Sequence, residues 1–507
     1  MTRYPSKDLL ALLAGMVKDP TVISNVAISH ISMDSREVQL GGLFIATAKN
    51  QQQRINHIEQ AITGGVSVVL LEQVMVAEVR IDSVQVIVIK ALETKVSEIA
   101  ARFFGHPSLA QTIIAVTGTN GKTSVTQFIA QCIELSGQAC GVIGTLGTGR
   151  IDALTDTGMT TPDPVKIQAT LAAFFHQSIN TVVIEASSHA LDQSRLNSVA
   201  IDVAVLTNLS RDHLDYHHDM ASYAAAKKRL FQFDSVKTAV INAQDALGQE
   251  LIQALASNKA IDIITYGRDV KASLAANDAV MTQKGFNFSL VKGNKSAQIE
   301  STLIGLFNVE NLLATAGSLL AIGMSFEQVM AGIQQCRSAI GRMEVYDGKN
   351  KATVVIDFAH TPDALTKALQ SLQLHKPKQA ELWCVLGCGG DRDRGKRPLM
   401  GAAAEQNADQ IVITSDNPRS EENSVIVEEI LMGLKNHNHH YIEHDRQQAI
   451  QYAIRHAKHH DIILVAGKGH ENYQEIAGVK VPYSDIDTVT TAMNAANDAQ
   501  NTLVSVT

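Results

Sequence analysis

The sequence predicts an α/β protein of three domains, and three observations predict it. Short apolar runs that end in polar clusters alternate with helical patterns, as in "TIIAVTG", "TVVIEASS" and "VAVLTNLS". Such continuous runs imply strands buried on both faces, hence mainly parallel sheets. The rhythm changes at Gln111 and again near Ala339. The length of 507 residues, at about 150 per domain, also suggests about three. The expected units are a small N-terminal α/β domain over 1–107, a central phosphate-loop domain with a mainly parallel sheet over 108–338, and a C-terminal doubly wound, Rossmann-like domain over 339–507.

In the first unit, "GGLFIATA", "VSVVLL" and "VQVIVI" read as strands, with "HIEQAITGG" as a helix between them. "LLALLAGMV" reads as a short amphipathic helix rather than a signal segment, because Asp8 precedes it, Lys18 follows it and it lacks an A-x-A site. Gly and Pro in "FFGHPSLA" mark a linker. The central unit adds "TAVINAQD" to its strands. The third repeats strand-then-polar-loop in "KATVVIDFAHTPDAL", "AELWCVLGCGGDRD", "QIVITSDNPR" and "DIILVAGKGHEN". Ligands of such sheets gather at the carboxyl ends of the strands, where these polar clusters fall.

Composition narrows the function classes. With 43 basic and 51 acidic residues the net charge is −8, which argues against a general nucleic-acid binder. No apolar run approaches the roughly 18 residues that span a bilayer. The five cysteines, Cys132, Cys140, Cys336, Cys384 and Cys388, are sparse and odd in number, as in a reduced cytoplasmic protein. Cys384 and Cys388 are expected in packing rather than on zinc.

"AVTGTNGKTS" carries the strongest chemical signal. A strand runs into Gly118, Thr119, Asn120, Gly121, Lys122, Thr123 and Ser124, and a helix follows. Backbone N–H groups in such a loop cradle phosphates, the lysine reaches the terminal phosphates and the threonine holds Mg²⁺. Val116 stands where the general pattern has its first glycine, so this is a shorter variant.

Glu185 ends a strand and suits a Mg²⁺ site, or serves its own helix start. His213 could ligate a metal or bridge phosphates, or be structural; Asp212 and Asp215 could cap the next helix. Lys227 and Lys228, on a helical pattern, would by default be solvated.

Together "TGTNGKTS", "EASSH", "TNLSRDHLDYH", "YAAAK", "GLFNVEN", "GRMEV", "DFAHTPDAL", "GCGGDRDRGKRP", "DNPR" and "AGKGHE" resemble the Mur ligase superfamily, ATP-dependent amino-acid-adding enzymes of peptidoglycan synthesis. The order and spacing agree from about residue 30 to 485. The resemblance implies a UDP-binding first domain, an ATPase centre and a last domain for the incoming amino acid. It implies catalytic roles for Lys122, Lys227 and His213, with Lys227 carbamylated and Lys228 solvated. Mg²⁺ would be held by Thr123, Glu185, His213 and carbamylated Lys227. ATP would meet the loop residues 118–124, Asn308, Arg342, Asp357 and His360, although Asn308 could instead be a helix cap.

By the same resemblance Met33, Ser35, Arg36 and Asn50, Gln51, Gln52 mark the uridine segment. Thr160, Thr161, Ser187, Gln193 and Arg195 would hold the muramoyl-dipeptide and pyrophosphate. "NQQQRINHIEQA" departs from the family pattern by lacking Asp-Gly before its histidine.

"DNPR" resembles the signature of members that add meso-diaminopimelate rather than L-lysine. Arg419 would take the second carboxylate, which calls for a bidentate arginine. Asp416 and Asn417 would take the ammonium, Pro418 would fix the turn, and Arg392, Gly467 and Glu471 would complete the pocket. Taken without the resemblance, Arg419 is more simply a surface ion pair with Glu421 or Glu422. The expected reaction is ligation through an acyl phosphate, in a cytoplasmic monomer using small-molecule substrates, ATP and Mg²⁺. The alternatives are the lysine-adding homologue, another Mur ligase, a folylpolyglutamate synthetase, or a nucleotide-dependent regulatory protein.

Overall fold

The computed structural model describes residues 4–72, 84–282, 285–347, 351–435 and 440–504. Three main sheets follow one another along the chain, giving the α/β fold expected. The first has four parallel strands in the order Ile31–Ser32, Leu43–Ala46, Val68–Glu72, Gln85–Ile89. The helix Gln51–Thr63 begins at Asn50, whose side chain accepts a hydrogen bond from the Gln53 amide and so caps it.

The central sheet has eleven strands. One of its interior strands, Thr112–Thr117, lies between Thr181–Glu185 and Val203–Leu206, parallel to both. Alternation along this strand buries both faces. Ile114 and Val116 join the core that includes Phe128 and Leu312, while Ile113 and Ala115 join the core that includes Leu171 and Leu206. The loop after Thr117 therefore opens between the carboxyl ends of two neighbours. The sequence reading missed the strands Leu274–Thr282, Gly285–Lys292 and Lys295–Ser301, which extend one edge in antiparallel pairs. Their half-buried, polar-alternating pattern lacks the long apolar runs used to find the others.

The third sheet has six strands, with Glu344–Tyr346 antiparallel at one edge. Parallel strands follow in the order Thr353–Asp357, Ile462–Ala466, Leu382–Leu386, Gln410–Ile413, His440–Ile442. "LLALLAGMV" contributes the short helix Leu9–Leu12, with Leu9, Leu12 and Leu13 buried. The expected linker is packed rather than loose: Pro107 and Ser108 are buried, and the Ser108 hydroxyl accepts from the Ala200 amide. All five cysteines are free and buried, as expected.

A buried ion pair braces the loops of the third sheet. Arg446 and Asp485 are fully buried and meet at 2.7 Å, and the Arg446 guanidinium also donates to the Ser415 and Ala466 carbonyls. Those carbonyls precede Asp416 and Gly467. Removing one partner strands a charge in the interior. Asp485→Ala is expected to lower the unfolding free energy by about 3–5 kcal/mol, measured by urea titration; a loss below about 1 kcal/mol would contradict this bracing role.

Candidate active site

Gly118 needs to be glycine. Its φ is +146°, and a Cβ there would lie 1.8 Å from the Thr207 hydroxyl. The close approach brings the strand ends together. Thr207 and Asn208 side chains donate to the Asn120 carbonyl, and the Asn120 amide donates to Asn208 Oδ1. Helix Lys122–Leu135 then starts at Gly121.

Lys122 Nζ donates to the carbonyls of Gly118 (2.8 Å) and Thr119 (2.9 Å). Lys227 Nζ donates to the same Gly118 oxygen at 2.8 Å. Two ammonium groups therefore crowd one carbonyl. Desolvation lowers both pKa values, and Lys122 adds to the depression at Lys227, which falls well below the ordinary value. The default reading of Lys227 as solvated is thus overturned, since it is 1% exposed. Lys228, one residue on, points outward to an exposed pair with Glu250.

Glu185 does not serve its own helix start. Its carboxylate accepts from Thr123 Oγ1 at 3.0 Å and from the Thr145 amide and hydroxyl. A hydroxyl and a carboxylate side by side offer hard oxygen donors, the type Mg²⁺ takes in small number while keeping waters and phosphate oxygens. Among the described residues no three His, Cys, Asp or Glu side chains form a ready metal cluster. His213 is not hydrogen-bonded to Glu185; it pairs with Asp212 at 3.3 Å. Burial brings the His213 pKa down to about 3, so the ring is neutral.

Asp212 is no helix cap. It is buried, and its carboxylate lies 3.5 Å from His360 Nε2 and 4.0 Å from Lys396 Nζ, both carried by the third-sheet unit. Burial alone would raise its pKa, but the His360 hydrogen bond and the charges around it hold it well below the usual carboxylate range. Asn120 also donates to Asp363, Arg342 to the Thr123 hydroxyl, and Arg211 pairs with Asp393. No feature of the sequence between them announced these partners.

Two clefts open between the central and third sheets. One has about 790 Å³ of empty space, lined by Asn120, Ser124, Asn308, Arg342, Asp357 and Phe358 among others. Asn308 is within the first turn of helix Phe307–Ala321, not its cap, and bonds to Ile304 and Asn311. Arg342 stacks on Phe358, and among the described residues its buried Nε has no hydrogen-bond partner. His360, expected here, lines the other cleft instead.

That other cleft, of about 720 Å³, gathers His213 and His360 with Arg392, Asp416, Asn417, Arg419, Gly467 and Glu471. Lys468, which the sequence reading passed over, is fully buried and binds Glu471, Asn417 and Asp416 at 2.7, 3.0 and 3.6 Å. Pro418 does not line the cleft; its carbonyl accepts from the Glu421 amide at 3.0 Å. Arg419 pairs with neither Glu421 nor Glu422 but with Glu475; Glu421 is taken by Arg397.

A third group surrounds Glu185. The Thr161 hydroxyl donates to its carbonyl and lies 3.1 Å from the Ser187 hydroxyl; Thr160 meets Thr145; Arg195 binds Gln193 and the Thr161 carbonyl. The front residues lie apart from this network. Met33 packs on the front core, Ser35 donates to Gln60, Arg36 pairs with Asp34, and Asn50 caps the helix that holds Gln51 and Gln52. They do share the carboxyl ends of adjacent strands Ile31–Ser32 and Leu43–Ala46.

A phosphate loop, paired lysines, a hydroxyl–carboxylate pair and two clefts against a doubly wound sheet define a multi-sheet phosphate-loop enzyme. Family models agree: the Mur ligase middle domain matches residues 116–319, and the Mur ligase glutamate ligase domain matches 341–469. A UDP-N-acetylmuramoyl-L-alanyl-D-glutamate–2,6-diaminopimelate ligase of Ectopseudomonas mendocina is 44% identical over 468 residues, 92% of this chain and 95% of that one. A solved structure of a ligase with the same name is 36% identical, with a TM-score of 0.68, covering 97% of this chain and 99% of that one. The folylpolyglutamate synthase of Mycobacterium tuberculosis, solved with ADP and AMPPCP, shares the fold at 20% identity and TM-score 0.58, over 73% of this chain and 91% of its own. The chain belongs to the Mur ligase family.

Lys122→Ala is expected to lower kcat/KM for ATP by about a thousandfold, measured as phosphate release. A loss under about tenfold would remove the lysine from the phosphate site.

Proposed function

We propose that this chain joins meso-2,6-diaminopimelate to UDP-N-acetylmuramoyl-L-alanyl-D-glutamate at the expense of ATP, in peptidoglycan synthesis. The observation that carries the choice of amino acid is the cleft shared by His213, Arg392, Asp416, Asn417, Arg419 and Glu471. Diaminopimelate ends in a second amino acid centre. Arginines suit its carboxylate, and Asp416, Asn417 and Glu471 suit its ammonium. Lysine lacks that carboxylate and would leave Arg419 unmatched.

ATP occupies the cleft of Asn308, Arg342 and Asp357, with its phosphates on residues 118–124. The UDP end lies at Met33, Ser35 and Asn50–Gln52, and the peptide runs past Thr160, Thr161, Ser187, Gln193 and Arg195. The stretch 1–107 would hold the UDP end, while the clefts for ATP and the amino acid are each lined by residues of both 108–338 and 339–507, in a cytoplasmic monomer.

In the first step a carboxylate oxygen of the dipeptide attacks the γ-phosphorus. The bond to the β-phosphate oxygen breaks and ADP leaves. The amine of diaminopimelate then attacks the acyl carbon, loses a proton, and expels phosphate. Both reactants of the first step are anions, and Lys122 with the loop N–H groups offsets their repulsion. Mg²⁺, held by Thr123 and Glu185, would neutralise phosphate charge. Lys227, its ammonium form disfavoured by burial and by Lys122, has the unprotonated character that carbamylation requires; we assign it that modification.

Phosphate release is expected to require both the UDP-dipeptide and diaminopimelate, with lysine a poor substitute; hydrolysis indifferent to both would overturn the ligase reading. Arg419→Ala should raise KM for diaminopimelate by about a hundredfold with KM for ATP nearly unchanged. An unaltered KM for diaminopimelate would remove Arg419 from the pocket.

A further inference from the structure

The residue that aims Arg419 lies 56 positions away in sequence. Arg419 adopts φ +52°, a left-handed conformation unusual for a side-chain-bearing residue. The strand Tyr473–Ile476 holds that backbone in place. The Arg419 amide donates to the Glu475 carbonyl at 2.9 Å, and the Ala477 amide donates to the Arg419 carbonyl at 2.7 Å. The Glu475 amide donates to Asn417 Oδ1 at 3.0 Å, and the Gln474 side chain donates to Ser415 and Asp416. Among the described residues Tyr473–Ile476 pairs in a sheet only with Val479–Pro482, and Ile476 bridges to Arg419, so this hairpin is a splint laid against the turn.

The Glu475 side chain adds a specific contact. Its Oε2 accepts from Arg419 Nε at 3.2 Å, while the Gly390 carbonyl accepts from Arg419 NH1 at 2.7 Å. Gly389 leaves room for the guanidinium, since a Cβ there would lie 2.9 Å from NH1. Arg419 NH2 makes no hydrogen bond among the described residues, and Arg419 lines the cleft. Nε and NH1 are each held by an acceptor of the protein. The remaining N–H groups are the ones a substrate carboxylate can use.

We infer that Glu475 is a specificity-determining positioning residue: its carboxylate fixes the Arg419 guanidinium in the orientation that reads the second carboxylate of the amino acid. This rests on the diaminopimelate reading of the cleft. An unrestrained arginine side chain has many rotamers, and ordering it at binding costs affinity. Glu475 places that cost in folding instead. Because Glu475 offers a single oxygen at the Nε position, it leaves the NH2 side open to an incoming carboxylate.

The test is steady-state kinetics on full-length wild type, Glu475→Ala, Glu475→Gln, Arg419→Ala and the double variant. Circular dichroism confirms folding, and the backbone contacts of residue 475 persist in every variant. Glu475→Ala should raise KM for diaminopimelate about five- to tenfold, with kcat and KM for ATP unchanged. Glu475→Gln, which keeps an acceptor, should return KM to within about twofold of wild type. In the Arg419→Ala background, Glu475→Ala should add nothing. An unchanged KM in Glu475→Ala would overturn the inference, as would an equal further loss in the Arg419→Ala background. Wild type that turns over without diaminopimelate would overturn the function reading and this with it; dependence on diaminopimelate with Glu475→Ala unaltered would overturn only the role of Glu475.

Discussion

Two lysine side chains, Lys122 and Lys227, converge on one carbonyl oxygen, that of Gly118. Much of the remaining site can be understood from that crowding. Two cations so close would be costly in a desolvated setting, and the cost is relieved by a bound anion and by converting Lys227 from a cation. A nucleotide triphosphate is such an anion, and the loop N–H groups and the helix start at Gly121 favour the same charge. The approach is possible only because Gly118 lacks a side chain where Thr207 comes in. The parallel sheet makes it inevitable that Glu185 and Thr207 flank the loop, since their strands are the immediate neighbours of Thr112–Thr117.

The second organising feature is the seam between central and third sheets. Asp212 reaches His360 and Lys396, Asn120 reaches Asp363, and Arg342 reaches Thr123. Every one of these contacts starts at or beside a phosphate-loop strand end. The two clefts are therefore bounded by both units, and neither cleft is complete on one alone. Arg446, locked to Asp485, steadies the strand ends of the third sheet beneath Asp416 and Gly467.

The fold class was legible because parallel strands buried on both faces write long apolar runs, and because each ends in polar residues. The antiparallel edge from Leu274 to Ser301 was not, since edge strands alternate and carry many polar residues. Loop chemistry was legible where one segment holds it, as in residues 118–124. It was illegible where the meaning depends on a partner far along the chain. Lys227 and Lys228 look alike in sequence, and only the orientation of their helix buries one against Gly118. Asp212 resembles a cap until His360 and Lys396 are placed beside it. Only without the resemblance does Arg419 read as a surface ion pair with its sequence neighbours; in the structure Arg397 takes Glu421 and the hairpin brings Glu475 instead.

The lysine site at Gly118, with Lys227 carbamylated, is proposed to serve phosphoryl transfer to a carboxylate rather than to water. The most direct measurement uses UDP-dipeptide labelled with oxygen-18 in its free terminal carboxylate, turned over with ATP and diaminopimelate. Mass spectrometry of the released phosphate should find a labelled oxygen carried over from the carboxylate, because the acyl–oxygen bond breaks when the amine attacks. Unlabelled phosphate accompanying product would contradict the account.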